Sequence, residues 1–108
     1  MTETVKVIIP AYNEAKSIGK VIKALPSFVN EIIVVDNCST DETAIIAQKL
    51  EATVLKEIKS GYGNACLKGV NYINEQKTRT DIVVFIDGDY SDYPEELTKI
   101  IAPIIEKD

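Results

Sequence analysis

The chain has 108 residues, 45% apolar and 27% charged, which suits one domain with a real but modest core. Its 17 acidic residues outnumber 12 basic ones for a net charge of −5, so a nucleic-acid partner, which calls for a basic face, is not expected. Histidine is absent, which excludes histidine general bases and histidine metal sites within the chain.

The elements follow in order. Val5–Ile9 reads as a first strand. Ile18, Val21, Ile22 and Leu25 fall at i, i+3, i+4 and i+7, one face of a helix that Pro26 ends. Ile32–Val35 is a second strand. Ser39-Thr40-Asp41-Glu42 fits a capping box, with Ser39 as N-cap, for a helix whose inner face is Ile46, Ala47 and Leu50. Ala52–Leu55 is short and weak, hence an edge strand. A third helix spans about Asn64 to Asn74, with Cys66, Val70 and Ile73 inward. Gly69 in its middle is unfavourable by up to about 1 kcal/mol against Ala, so close packing on the sheet is the expected reason for it. Ile82–Ile86 is a fourth strand. Like Ile32–Val35, it has the unbroken apolar character of a parallel strand buried on both faces. A fourth helix begins at Pro94, with Leu97, Ile100, Ile101, Ile104 and Ile105 as its stripe and Pro103 bending it.

Strands alternating with helices predict an α/β fold with a parallel sheet and right-handed crossovers. Ligands bind such sheets at the carboxyl ends of the strands. The loops that matter are then Pro10-Ala11-Tyr12-Asn13-Glu14, Asp36 to Asp41, Lys59-Ser60-Gly61-Tyr62-Gly63-Asn64, and Asp87-Gly88-Asp89-Tyr90-Ser91. Each has a plain alternative as turn, cap or surface residue; their coincidence at one sheet edge favours a site.

Asp87-Gly88-Asp89 is the most informative of these. In a segment still extended past its strand, Asp87 and Asp89 point the same way, and Gly88 leaves room for a close approach. Like charges held together call for a proton or a cation between them, and a hard divalent ion takes oxygen ligands. Asp-Gly is also a common turn dipeptide. Cys38 and Cys66 have no metal-ligand spacing, and without a signal peptide a reduced, cytoplasmic setting is expected. No apolar run approaches the roughly 20 residues that span a bilayer.

Taken together, Val7-Ile8-Ile9-Pro10-Ala11-Tyr12-Asn13-Glu14, Ile33 to Thr43 with Asp36-Asn37-Cys38-Ser39-Thr40-Asp41, Gly61-Tyr62-Gly63-Asn64-Ala65 and Asp87-Gly88-Asp89 resemble the nucleotide-binding half of a family 2 glycosyltransferase of the GT-A fold. The resemblance covers essentially the whole chain. Asp87 through Pro94-Glu95-Glu96-Leu97 is most similar to the polyprenyl-phosphate (dolichyl-phosphate) mannose and glucose synthase branch. The resemblance implies a Rossmann-like parallel sheet of order 3-2-1-4 with helices on both faces. It implies a nucleoside-diphosphate sugar as donor, a UDP- or GDP-sugar. Pro10, Ala11, Tyr12 and Glu14 would wrap the nucleoside. Asp36, with Asn37 and Ser39 beside it, would meet the base edge. Lys59, Gly63 and Asn64 would border base and ribose. Asp87, Gly88 and Asp89 match the DxD motif, whose two carboxylates would hold Mg²⁺ or Mn²⁺ against the diphosphate, and Ser91 would complete the metal site. The implied acceptor is polyprenyl phosphate, reached at the membrane through the full-length protein.

Two departures matter. The family often has Asp and Gly where this chain has Asn37 and Cys38. Its acceptor site and catalytic base lie in a second half, which is expected to be absent from residues 1–108, so turnover by the chain alone is not expected. Three other readings compete. A dinucleotide-binding loop at Lys59-Ser60-Gly61-Tyr62-Gly63 fails at Cys66 and follows the wrong strand. A sugar nucleotidyltransferase would carry its Gly-rich loop after the first strand, where Pro10-Ala11-Tyr12 stands. A non-catalytic sugar-nucleotide-binding module differs from the enzyme only in turnover.

Overall fold

The structure is a computed structural model and describes residues 3–89. Over these residues the order is β1 (Val5–Ala11), α1 (Ile18–Ala24), β2 (Glu31–Asp36), α2 (Thr43–Lys49), β3 (Thr53–Lys56), α3 (Tyr62–Glu75) and β4 (Ile82–Phe85). All strand pairs are parallel and the sheet order is β3-β2-β1-β4, as the sequence predicts. Ser91, the helix from Pro94 and the Pro94–Leu97 segment lie outside the described residues.

The period-2 alternation of β1 and β2 builds two cores. Val5, Val7, Ile9 and Ala11 of β1 and Val34 of β2 pack with Ile18, Val21 and Ile22 of α1 and Ala47 of α2. Ile8, Ile33 and Val35 face the other way and pack with Ala65 and Ile73 of α3. Both central strands are therefore buried on both faces, with Lys6 the one charged side chain of β1.

The predicted helix faces hold for α1 and α2, but α3 is rotated from the expectation. Its buried residues are Ala65, Gly69 and Ile73, at i, i+4 and i+8, while Cys66 is only partly covered. Ile8 explains the rotation. A Cβ on Gly69 would stand 2.8 Å from Ile8 Cγ2 and 2.9 Å from Ile8 Cδ1. Glycine at this position lets α3 lie on the sheet, and the smallest side chains face inward. β4 also departs in part: Ile82 and Val84 are buried, but Phe85 is 43% exposed.

The expected capping box does not form. α2 starts at Thr43, Glu42 before it makes no side-chain cap bond, and Asp41 rather than Ser39 meets the first turn, its Oδ1 accepting from the Thr43 N–H at 3.0 Å. Ser39 and Asp41 are both drawn to the loop after β1, as described below. The other end of α2 has no glycine, yet Glu51 adopts φ 68°. The Ala52 N–H donates to the Ala47 carbonyl at 3.1 Å and the Glu51 N–H to the Gln48 carbonyl at 3.0 Å. This is a Schellman ending with a glutamate in the left-handed position.

At the amino-terminal pole, away from the loops, a polar network crosses the sheet. Lys6 is buried on β1; its Nζ reaches Gln76 Oε1 and lies 3.4 Å from Glu31 Oε1. Glu31 Oε2 accepts from the Tyr72 hydroxyl at 2.7 Å and the Thr53 hydroxyl at 2.9 Å. Burial, the largest influence, pushes the Glu31 carboxyl up. The hydrogen bonds of Tyr72, Thr53 and Gln76 and the Lys6 charge together outweigh it and hold the carboxyl below its usual range.

Candidate functional site

Pro10 opens the site. Backbone groups of alternate residues in a strand point to the same neighbour, and the Ile86 N–H donates to the Ile8 carbonyl at 3.1 Å. Two residues on, Pro10 faces the same side with no N–H to offer. The β1–β4 ladder ends at Ile8–Phe85, while the β1–β2 ladder continues to Ala11–Asp36. The two chains part there, and Asp87-Gly88-Asp89 borders the gap.

Gly88 lets that segment lie against β1. A Cβ on Gly88 would stand 3.3 Å from Glu14 Cγ, 3.4 Å from Ala11 Cβ and 3.4 Å from the Pro10 carbonyl oxygen. The Ser17 hydroxyl donates to the Gly88 carbonyl at 2.7 Å and ties the segment to the start of α1. Gly88 and Asp89 form a turn rather than an extension of β4, so the extended-strand argument for the two carboxylates does not hold. The turn nevertheless places both near Glu14.

The resulting cleft, of ≈ 170 Å³, is lined by Pro10, Ala11, Tyr12, Glu14, Asn37, Tyr62, Ala65, Asp87, Gly88 and Asp89. A second depression, of ≈ 390 Å³, shares Tyr12, Asn37 and Tyr62 with it and adds Cys38, Ser60 and Gly61. Burial raises the Glu14 carboxyl above its ordinary range. The charges of Asp89, Asp41 and Asp87 raise it further, and a hydrogen bond with Ser17 pulls it back. Three carboxylates thus act on one small space. Among the described residues, no three His, Cys, Asp or Glu side chains form a ready-made metal cage. The donor set is all oxygen and anionic, which fits a hard divalent cation whose remaining ligands come from a bound anion or water.

The loops after β1 and β2 hold each other. The Asn13 N–H donates to the Ser39 hydroxyl at 2.9 Å, and Asn13 Oδ1 accepts from the Thr40 N–H at 2.8 Å. The Glu14 N–H donates to the Thr43 hydroxyl at 2.9 Å, and the Ala15 N–H to Asp41 Oδ2 at 3.2 Å. The Thr43 hydroxyl in turn donates to Asp41 Oδ1. That bond, ahead of the backbone N–H groups of Thr43 and Ala15, holds the Asp41 carboxyl below its usual range against some burial. Ser39 and Asp41 therefore shape the loop that carries Tyr12 and Glu14.

Asn37 is 7% exposed and fully engaged. Its Nδ2 donates to the carbonyls of Glu57 at 3.0 Å and Lys59 at 2.8 Å, and its Oδ1 accepts from the Gly61 N–H at 2.9 Å. Asn37 thus fastens the loop before α3 to the end of β2. Cys38 follows with φ 70°, where glycine meets no steric cost. Asp36 is buried, and its Oδ1 accepts from the Ser39 N–H at 3.2 Å.

Of the residues expected to bind substrate, Pro10, Ala11, Tyr12, Glu14, Asn37, Asp87, Gly88 and Asp89 line the cleft. Asp36, Ser39, Lys59, Gly63 and Asn64 line neither depression. Asn64 turns back, donating to the Ser60 carbonyl at 3.0 Å. Sequence reasoning missed Tyr62 and Ala65 in the lining, and Ser17, Asn13 and Thr43 in the scaffold. The position of Tyr62 at the start of α3, inside a loop already singled out, was the available signal.

Residues 6–108 match glycosyl transferase family 2. The chain belongs to this family. An uncharacterized glycosyltransferase of Mycobacterium bovis is 37% identical over 102 residues, covering 94% of this chain and 44% of that protein. The glucosyl-3-phosphoglycerate synthase of Mycolicibacterium smegmatis is 33% identical over 118 residues, covering 97% of this chain and 37% of its own length. A crystal structure of the Mycobacterium tuberculosis glucosyl-3-phosphoglycerate synthase, in complex with Mn²⁺, UDP and glucosyl-3-phosphoglycerate, superposes with TM-score 0.80 at 31% identity. That match covers 95% of this chain and 40% of the synthase. This family 2 chain therefore spans less than half the length of these relatives. No helix among its described residues is long and apolar enough to cross a membrane.

Proposed function

We propose that this chain is the donor-binding part of a family 2 glycosyltransferase. It takes a nucleoside-diphosphate sugar, a UDP- or GDP-sugar, together with Mg²⁺ or Mn²⁺. The observation that carries the reading is the cleft at the carboxyl ends of β1 and β4, where Tyr12, Glu14, Asp87 and Asp89 meet in a chain of this family. The uncharged end at Tyr12 suits the nucleoside. The acidic end suits a diphosphate only if a cation stands between them, because bare anions would repel.

Asp87 and Asp89 would hold that cation. When bound, it supplies Lewis-acid stabilisation of charge growing on the leaving diphosphate. The chain's own residues position it: Gly88 permits the approach to β1, and Ser17 fixes the turn. Asp36, at the end of β2, is kept as the base-edge acceptor in this reading, with Lys59 and, in the first turn of α3, Gly63 and Asn64 bordering base and ribose.

Transfer is proposed to be inverting, with the acceptor site and base in a further segment of the protein. Polyprenyl phosphate is the acceptor suggested by the likeness of Asp87–Leu97. Similar solved structures carry phosphoglyceric acid instead. Calorimetry with UDP and GDP in the presence of Mn²⁺ tests the donor assignment. One of the two should bind, and Tyr12→Ala should weaken it about 5- to 100-fold, the usual size of a lost base–aromatic stack. Absence of binding by both nucleotides would contradict the assignment.

A further inference from the structure

Tyr12 and Tyr62 come from different elements, the loop after β1 and the first turn of α3, yet both border both depressions of the site. They are 59% and 58% exposed. Two large aromatic rings bordering one hollow leave much apolar area in water, an arrangement favoured where a ligand covers it.

The hollow they share differs in character along its length. Towards Asp87 and Asp89 it is acidic. Towards Cys38, Ser60 and Gly61 its lining carries no formal charge. Asn37, the buried polar group common to both parts, has both amide hydrogens and its carbonyl engaged by the loop before α3. Both tyrosines border this uncharged end, whereas the carboxylates line only the other part.

The position of Tyr62 is also built in. Asn37 Oδ1 holds the Gly61 N–H, and the Gly61 carbonyl accepts from the Ala65 N–H at 3.1 Å. Gly61 itself adopts φ 125°, a conformation that side chains rarely allow. The residue before Tyr62 is thus fixed on both sides, and Tyr62 starts the helix from a defined point.

We propose that Tyr62 is a nucleotide-binding residue, the second face of an aromatic clamp that grips the heterocyclic base together with Tyr12. Asn37 is the positioning residue that sets Tyr62 in place. This rests on the donor-binding reading above and adds a contact to it. The base lies between the two tyrosines on the side of Cys38, Ser60 and Gly61, and the diphosphate runs towards Asp87 and Asp89.

Calorimetry with UDP or GDP and Mn²⁺, on wild type, Tyr62→Ala and Tyr62→Phe, is the test, with thermal unfolding of each variant recorded alongside. Tyr62→Ala should lose on the order of 5- to 100-fold in nucleotide affinity, the range of a lost base–aromatic stack. Tyr62→Phe keeps the ring and should bind like wild type, even if Tyr62→Ala lowers the melting temperature. Unchanged affinity in Tyr62→Ala overturns the clamp while leaving the donor reading intact, as does an equal loss in Tyr62→Ala and Tyr62→Phe. Failure of wild type to bind either nucleotide overturns the donor reading, and the clamp with it.

Discussion

Asn37 directs two amide hydrogens at the carbonyls of Glu57 and Lys59, so its role requires a donor as well as an acceptor. An aspartate could still accept from the Gly61 N–H. It would also set a carboxylate against two carbonyl oxygens, with no hydrogen to offer either. Asn37→Asp is therefore expected to destabilise the protein by roughly 1–3 kcal/mol, the cost of buried groups left without partners. Urea unfolding of the two proteins measures it; equal midpoints would show that the loop closes without this bond. Some of this scale is legible in the sequence. Asp87, Gly88 and Asp89 announce themselves by spacing, and Tyr12 and Glu14 by their place after a strand. The donor role of Asn37 is not legible, because it depends on carbonyls 20 and 22 residues away. Asp36, Ser39 and Asn64 stand out in the sequence by type and position. Their described hydrogen bonds run to neighbouring backbone groups, with Ser39 accepting from Asn13 and Asp36 from Ser39.

Elements follow the sequence where apolar periodicity is strong and depart where tertiary contacts compete. α1, β2 and the edge strand β3 lie where their patterns put them, within the one or two residues by which element ends commonly differ. The start of α2 departs because Ser39 pairs with the loop after β1, which leaves Asp41 to accept from the Thr43 N–H as well as from the Ala15 N–H. Its end departs for the opposite reason: no glycine marks it, and Glu51 takes the left-handed position unaided. Glu51→Gly relieves that strain, which is about 1–2 kcal/mol, at an entropic cost of about 0.5–1 kcal/mol. A net gain of about 0.5–1 kcal/mol is expected, seen as a higher melting temperature; a lower one would mean that Glu51 contributes contacts worth more than its strain. The Lys6–Glu31–Tyr72 network joins β1, β2 and α3 and makes a pH prediction. The Glu31 carboxyl is held below the usual carboxylate range, so its contribution is present above that range and is lost as pH falls through the lower folded value. Glu31→Gln should cost about 2–3 kcal/mol at neutral pH, less than the 3–5 kcal/mol of a fully buried pair because Glu31 is partly exposed. The gap between variant and wild type should narrow in acid. A gap constant from neutral to acid pH would place its origin in packing rather than charge.

At the scale of the molecule, the strand–helix alternation predicts a parallel sheet with right-handed crossovers, and the order 3-2-1-4 is what the family resemblance adds. The same topology brings the ends of β1, β2 and β4 to one edge, which is why loops far apart in sequence converge there. The cleft's chemistry then follows from composition at that edge, with two tyrosines and three carboxylates lining one hollow. The central claim is that Asp87 and Asp89 bind a nucleoside diphosphate through a divalent cation, on a chain whose net charge is −5. The most direct test is a calorimetric titration of UDP or GDP with Mn²⁺ or with chelator, on wild type and Asp89→Asn. Mn²⁺ should raise wild-type affinity about tenfold or more, equivalent to about 1.4 kcal/mol or more. In Asp89→Asn the metal-dependent gain should shrink, while metal-free binding is less impaired because one repelling charge is gone. Identical affinities across all four conditions would contradict the account and leave Asp87-Gly88-Asp89 as an ordinary surface turn.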